Sequence, residues 1–240
     1  MKRLLFLLIP LGLVSCDPPG KPKLADKWKS PADVTGFTQL YAQNCIACHG
    51  DGKSIAGSIT LKNPLYLAIV PEEKLRDAIA NGVPGYNMPA FARENGGSLS
   101  DEQIDTIVKG LLAWKDASKL PNAPLPPYSA PLGDVAAGKA AFTQSCASCH
   151  GADGTGGKAG SVVDRDYLNL VSNQYLRTVT IAGRPELGCP DFAHRTPGSP
   201  MSPAAISDIT AWLVSQRVNE FNQPITPAPA KNEPRPRSRS

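Results

Sequence analysis

The feature that most constrains this chain is a short pattern present twice, Cys45-Ile46-Ala47-Cys48-His49-Gly50 and Cys146-Ala147-Ser148-Cys149-His150-Gly151. The second copy follows the first at an interval of 101 residues, and the interval persists well beyond the motif. Tyr66-Leu67 recurs as Tyr167-Leu168, Leu75-Arg76 as Leu176-Arg177, Gly82 as Gly183, Pro89 as Pro190 and Phe91 as Phe192, without a gap. Self-similarity over such a stretch marks a duplicated structural unit. The 240 residues suffice for two small domains of about 100 residues each.

A single C-x-x-C is compatible with a redox dithiol or half of a zinc site. C-x-x-C followed at once by histidine is the more specific attachment pattern for a c-type haem, and here it occurs twice. The thiols close thioether bonds to the two vinyl groups, and the adjacent imidazole faces the iron from the proximal side. Two covalently bound haem c groups are therefore expected, attached at Cys45 and Cys48 and at Cys146 and Cys149, with His49 and His150 as iron ligands.

The intervening sequence carries helix signals. Phe37, Leu40 and Tyr41 share one side of a helix leading into the first motif. Pro71 with Glu72 and Glu73, closing at Gly82, has the start and stop of a second helix. Ser100 to Gln103 opens a last helix with Ile104, Ile107, Val108, Leu111 and Trp114 on one face. The expected fold class is all-α.

Helix, C-x-x-C-H, loop, helix, a ligand loop and a terminal helix together resemble class I cytochrome c, over residues 34–117 and again over 134–218. The resemblance implies two tandem domains, each wrapped around one covalent haem that supplies apolar surface a small domain lacks. It also implies that a second axial ligand comes from the loop before the last helix. In the first domain that loop, Gly85 to Phe91, holds Met88, 39 residues after His49. A thioether there is a neutral, soft ligand that favours reduced iron; the alternative is a methionine filling the core.

The second domain departs from the family pattern. Cys189 stands 39 residues after His150, where the methionine belongs. As a thiolate ligand it favours ferric iron and lowers the potential. A second reading leaves Cys189 distant or protonated, with the iron open or water-bound. A third makes Met201 the ligand. Aligning the last helices (Ile104 with Ile206, Ile107 with Ile209, Leu111 with Leu213) changes the interval to 102 and sets Met201 on Leu99, a packing position. Arg184 and Arg195 flank the cysteine loop, either to hold a thiolate or an anion or as ordinary surface or propionate-pairing arginines. His194 is expected on the surface, and Asp164-Arg165-Asp166 in a solvated loop.

The flanks complete the layout. Residues 1–16 combine basic Lys2-Arg3, an apolar run from Leu4 to Leu13 too short to span a bilayer, and Ser15 before Cys16. Leu13-Val14-Ser15-Cys16 resembles the bacterial lipobox, implying cleavage before Cys16 and a lipid anchor on it; an ordinary secretory signal is the alternative. Residues 17–33 read as a flexible tether, the proline-rich 118–133 as a semi-rigid linker, and 219–240 as a disordered basic tail. Of six cysteines, four take haem and one takes lipid, leaving Cys189 unpaired. A formal charge of +4 makes no case for nucleic acid.

The expected function is electron relay by a periplasm-facing, membrane-anchored dihaem cytochrome in the bacterial cell envelope. It would work between a respiratory or membrane donor and a terminal acceptor, with redox proteins as partners. The alternative is an oxidoreductase acting on a sulfur compound. Dihaem thiosulfate dehydrogenases are similar in pairing two class I domains with one His/Cys haem, although there that haem lies in the first domain. A dihaem peroxidase would need an open iron.

Overall fold

The computed structural model describes residue 20 and residues 28–52, 57–196 and 198–219. The expected signal segment with Cys16, most of the tether and the tail from residue 220 lie outside the described residues. No sheet forms among the described residues; Ala92 pairs with Leu99, and Arg184 with Cys189, in isolated bridges. No described helix is long and apolar enough to cross a membrane.

The first half contains α1 (Phe37–Asn44), α2 (Ile46–His49), α3 (Pro64–Ile69), α4 (Glu72–Asn81) and α5 (Asp101–Leu112). The second repeats the order with α6 (Val135–Ser145), α7 (Ala147–His150), α8 (Arg165–Leu170), α9 (Asn173–Ala182) and α10 (Pro203–Ser215). In each half the first helix crosses the last, and the short motif helix hangs from the end of the first.

Local chemistry sets the helix ends. The capping box at α5 is complete: Gln103 N–H donates to Ser100 Oγ, and Ser100 N–H donates to Gln103 Oε1. Ile104, Ile107, Val108 and Leu111 then recur at helical spacing and are all buried. α10 starts on Ser202 with Pro203 at its first position and buries Ile206, Ile209 and Leu213. The α4 and α9 helices stop at Gly82 and Gly183, both with φ near +65°.

Two sequence readings are corrected. Asp164-Arg165-Asp166 is not a solvated loop. Asp164 caps α8, its Oδ1 accepting from Asp166 N–H and Tyr167 N–H at 3.0 and 2.9 Å, and Arg165 and Asp166 form the first turn. The linker does not stand free as a spacer. It begins with a 3-10 turn at Ala117–Lys119 and is then held on α9. Pro127 O accepts from Arg177 Nη2 at 2.9 Å, and Tyr128 O accepts from Arg177 Nε and Gln174 Nε2 at 3.1 and 2.8 Å. The duplication explains why. In the first half Arg76 pairs with Asp101 and Asp105. The matching positions on α10 are Pro203 and Ser207, so Arg177 lacks those carboxylates and turns to the linker carbonyls and Ser207 Oγ.

Candidate functional site

In both halves the motif helix presents its histidine with one ring nitrogen already engaged. His49 Nδ1 lies 2.9 Å from Ile59 O, and His150 Nδ1 lies 2.9 Å from Gly160 O. A ring that donates through Nδ1 to a carbonyl keeps its Nε2 lone pair for a metal. The loops that supply these carbonyls are pinned alike: Ser58 N–H donates to Cys48 O and Ala159 N–H to Cys149 O, each at 3.0 Å. In the first half a buried 2.6 Å bond from the Tyr41 hydroxyl to Gly50 O also locks the end of α2.

None of the motif cysteines Cys45, Cys48, Cys146 and Cys149 is in a disulfide; Cys45 and Cys146 are buried, Cys48 is exposed and Cys149 half-buried. Burial pushes the Cys45 thiol up to about 11, and neighbouring Cys48 adds to the rise. His49 is lowered by burial, partly offset by its bond to Ile59 O.

The distal loops share one backbone geometry. Val83 N–H donates to Met88 O at 2.9 Å, and Arg184 N–H donates to Cys189 O at 2.9 Å. Gly82 and Gly183 lie beneath them, where an added Cβ would fall 2.6 Å from Met88 O and 2.5 Å from Cys189 O. Met88 and Cys189 thus occupy the same station of the repeat. Met201 does not. It is buried, and its N–H donates to Phe192 O as Leu99 N–H donates to Phe91 O, which is the packing role the alignment of the last helices assigned it.

The second half has a crevice that is partly open to solvent. Phe142, Tyr167, Leu176 and Ile209 make apolar walls, and Cys146, His150, Cys189 and Arg195 supply the polar groups. His150 and Cys189 both line this crevice. Burial alone would raise the thiol; the bonds from His150 and Arg195 and the Arg195 charge outweigh it and bring Cys189 down to about 7. His150 is raised, mainly by Cys189 and against burial. The donor set suits a haem: the Cys146 thiol, the pre-oriented His150 imidazole and the Cys189 sulfur line one largely apolar crevice.

The two flanking arginines part company. Arg195 Nη1 donates to Cys189 Sγ at 3.5 Å, and its Nη2 donates to the Val179 and Thr180 carbonyls. Arg184 is buried against Glu186 and the Tyr175 hydroxyl. His194 is exposed and pairs with Asp191, as expected of a surface residue.

Residues 32–109 match the family model described as cytochrome c oxidase, cbb3-type, subunit III, and residues 135–217 match the cytochrome c model. A cytochrome c6 from Gracilaria tenuistipitata var. liui is 37% identical over 86 residues, 34% of this chain and 72% of that protein. The chain belongs to the c-type cytochromes. It has two tandem class I domains in an all-α fold, and its covalent cofactor is haem c. This cytochrome is also similar to the cbb3-type cytochrome c oxidase subunit CcoP of Azospirillum sp. (strain B510), 29% identical over 156 residues, 58% of this chain and 48% of that protein. It thus spans about half the length of that relative. A thiosulfate dehydrogenase from Stutzerimonas stutzeri (strain A1501) is 24% identical over 224 residues, 87% of this chain and 67% of that protein.

Proposed function

We propose that this cytochrome binds two covalent haems and relays single electrons between a respiratory or membrane donor and a terminal acceptor on the periplasmic side of a bacterial membrane. The observation that carries the reading is the repeated bond from His Nδ1 to a loop carbonyl, at His49 and His150, beside a pair of thiols. When bound, haem supplies one-electron iron chemistry. Cys45 and Cys48, and Cys146 and Cys149, hold the two groups as thioethers. His49 and His150 would hold the irons through Nε2, with Met88 as the second ligand of the first and Cys189 of the second. Met88, uncharged, favours the reduced state; Cys189, as thiolate, favours the oxidised state, and Arg195 moderates its charge. The two sites therefore differ in potential. Matches to proteins named as oxidase subunits support an oxidase as the class of acceptor.

The test is a redox titration of the purified holoprotein. Two one-electron steps, with the lower one moving up in Cys189→Met, support the relay. A single step, or a lower step indifferent to the substitution, contradicts it. Anchoring through acylated Cys16 belongs to the same proposal and is read from the mass of the mature protein. An unmodified start at another residue contradicts that part.

A second reading is oxidation of a sulfur anion at the Cys189 site. It is favoured by the alignment with a thiosulfate dehydrogenase across both halves and by the Arg195 guanidinium beside Cys189. With Arg184 paired to Glu186, the cation for such an anion is Arg195. Thiosulfate-dependent reduction that disappears in Cys189→Ala supports this reading, and its absence in the wild type contradicts it.

A further inference from the structure

One side chain caps a helix in each half of the molecule. Asn63 is 3% exposed. Its Oδ1 accepts from Leu65 N–H and Tyr66 N–H, both at 3.0 Å, and so caps α3 at its start. Those two donors fix the amide orientation, which turns Nδ2 outward. Nδ2 donates to Ala182 O at 3.2 Å. Ala182 is the last residue of α9, and its carbonyl is one of those a helix leaves without an internal partner at its C-terminus.

The duplicate shows what the amide adds. The equivalent position on α8 is Asp164, which makes the same pair of cap bonds through Oδ1. An ionised carboxylate caps as well as an amide but has no N–H to give. Asparagine stands in the copy whose cap meets the other half, and aspartate in the copy whose cap is exposed. The substitution between otherwise matching caps is therefore tied to the contact between halves.

The contact lies close to the second crevice along α9. Val179 and Thr180 line the second crevice, and Thr180 is two residues before Ala182 on α9. On the other side Tyr66, whose N–H bonds Asn63, is the repeat partner of Tyr167, a wall of the second crevice. The linker is fastened to the same helix: Tyr128 O accepts from Gln174 and Arg177 of α9.

We infer that Asn63 is a positioning residue for electron transfer between the two halves: by capping α3 and α9 together it holds the joint closed and sets the rate of the internal step. This rests on the relay proposed above. In the step one electron leaves one half, which is oxidised by one equivalent, and reduces the other by one equivalent; no bond forms or breaks and no proton moves. Electron tunnelling falls steeply with separation, so a joint that opens slows the step.

Asn63→Asp is the discriminating variant, because its Oδ1 still caps α3 while a carboxylate oxygen, facing the Ala182 carbonyl, replaces the N–H that held it. Asp164→Asn in the second half is the control. The holoprotein is reduced at one haem by a laser-triggered photoreductant, and the protein-concentration-independent phase is followed. Pulsed EPR of the fully oxidised protein reads the separation of the two paramagnetic centres without reference to turnover. The inference expects an internal phase in the wild type that is several-fold slower in Asn63→Asp. It expects a narrow separation distribution that broadens in the same variant, and no change of either kind in Asp164→Asn. An internal phase present but equally fast in Asn63→Asp overturns the inference and leaves the relay standing. A slowed phase without broadening, or broadening without slowing, also overturns it. No internal phase in the wild type overturns the relay itself, and this inference with it.

Discussion

The ring of Phe37 on α1 fills the notch that Gly110 leaves on α5: a Cβ added at Gly110 would lie 2.1 Å from a Phe37 ring carbon. In the second half the large and small partners change helices. Gly138 on α6 occupies the place of Phe37, and Trp212 on α10 the place of Gly110. A Cβ at Gly138 would lie 2.0 Å from Asp208 O and 2.9 Å from Trp212 Cβ. Each crossing of first and last helix thus keeps one large and one small residue, with the order reversed. Trp212 also stacks on Phe142 at 4.3 Å between ring centroids, as Trp114 meets Phe37 at 5.0 Å in the first half.

Because the crossings are already filled, adding a single methyl group is costly. Gly110→Ala and Gly138→Ala are expected to destabilise by about 1–3 kcal/mol through overpacking. Gly138→Ala is the worse of the two, since it meets backbone rather than a ring that can shift. Chemical denaturation of the holoproteins reads the difference. Phe37→Ala should recover much of the loss in Gly110→Ala and none in Gly138→Ala.

The distal loop of the second half depends on Gly183. Its φ of +65° is costly for a side-chain-bearing residue, and a Cβ there would press on the carbonyls of Cys189 and Pro190. Gly183→Ala is expected to cost about 1–2 kcal/mol from the left-handed conformation before the clash is counted. It should also displace Cys189 from His150. The check is the optical and EPR spectrum of the second haem, which should change while that of the first does not.

Much of this was legible in the sequence, and the legible parts are local. The capping box at Ser100 and Gln103, the glycine stops at Gly82 and Gly183, and the 3-4 spacing of Ile104, Ile107 and Leu111 all act within a turn or two of their own helix. Aligning Leu111 with Leu213 was enough to place Met201 on Leu99. What escaped reading are the contacts between distant segments. The acid-basic-acid run around Asp164 looks solvated in sequence, although Asp at a helix start is an ordinary cap. The linker's prolines indicate stiffness but not attachment, and Arg177 holds it across about fifty residues of sequence. Asn63 reaches a carbonyl 119 residues away. Its only trace in the sequence is the change from Asn63 to Asp164 between matching positions.

Arg177 offers a test of that attachment. It is buried, and its bonds go to Pro127 O, Tyr128 O and Ser207 Oγ. Arg177→Met should keep most of its packing and lose these bonds. The expected cost is about 1.5–3 kcal/mol, as for a hydrogen bond to a charged group. The linker around residue 127 should become sensitive to limited proteolysis, whereas Arg76→Met, on an exposed pair, should leave it protected.

Low-temperature EPR of the oxidised protein, wild type against Cys189→Met, tests most directly whether His150 and Cys189 ligate the same iron. The account predicts two low-spin signals in the wild type. One should carry thiolate character, disappear in the variant and be replaced by a signal like that of the His49 and Met88 site. A high-spin signal unchanged by the substitution, or two signals without thiolate character in the wild type, would contradict it.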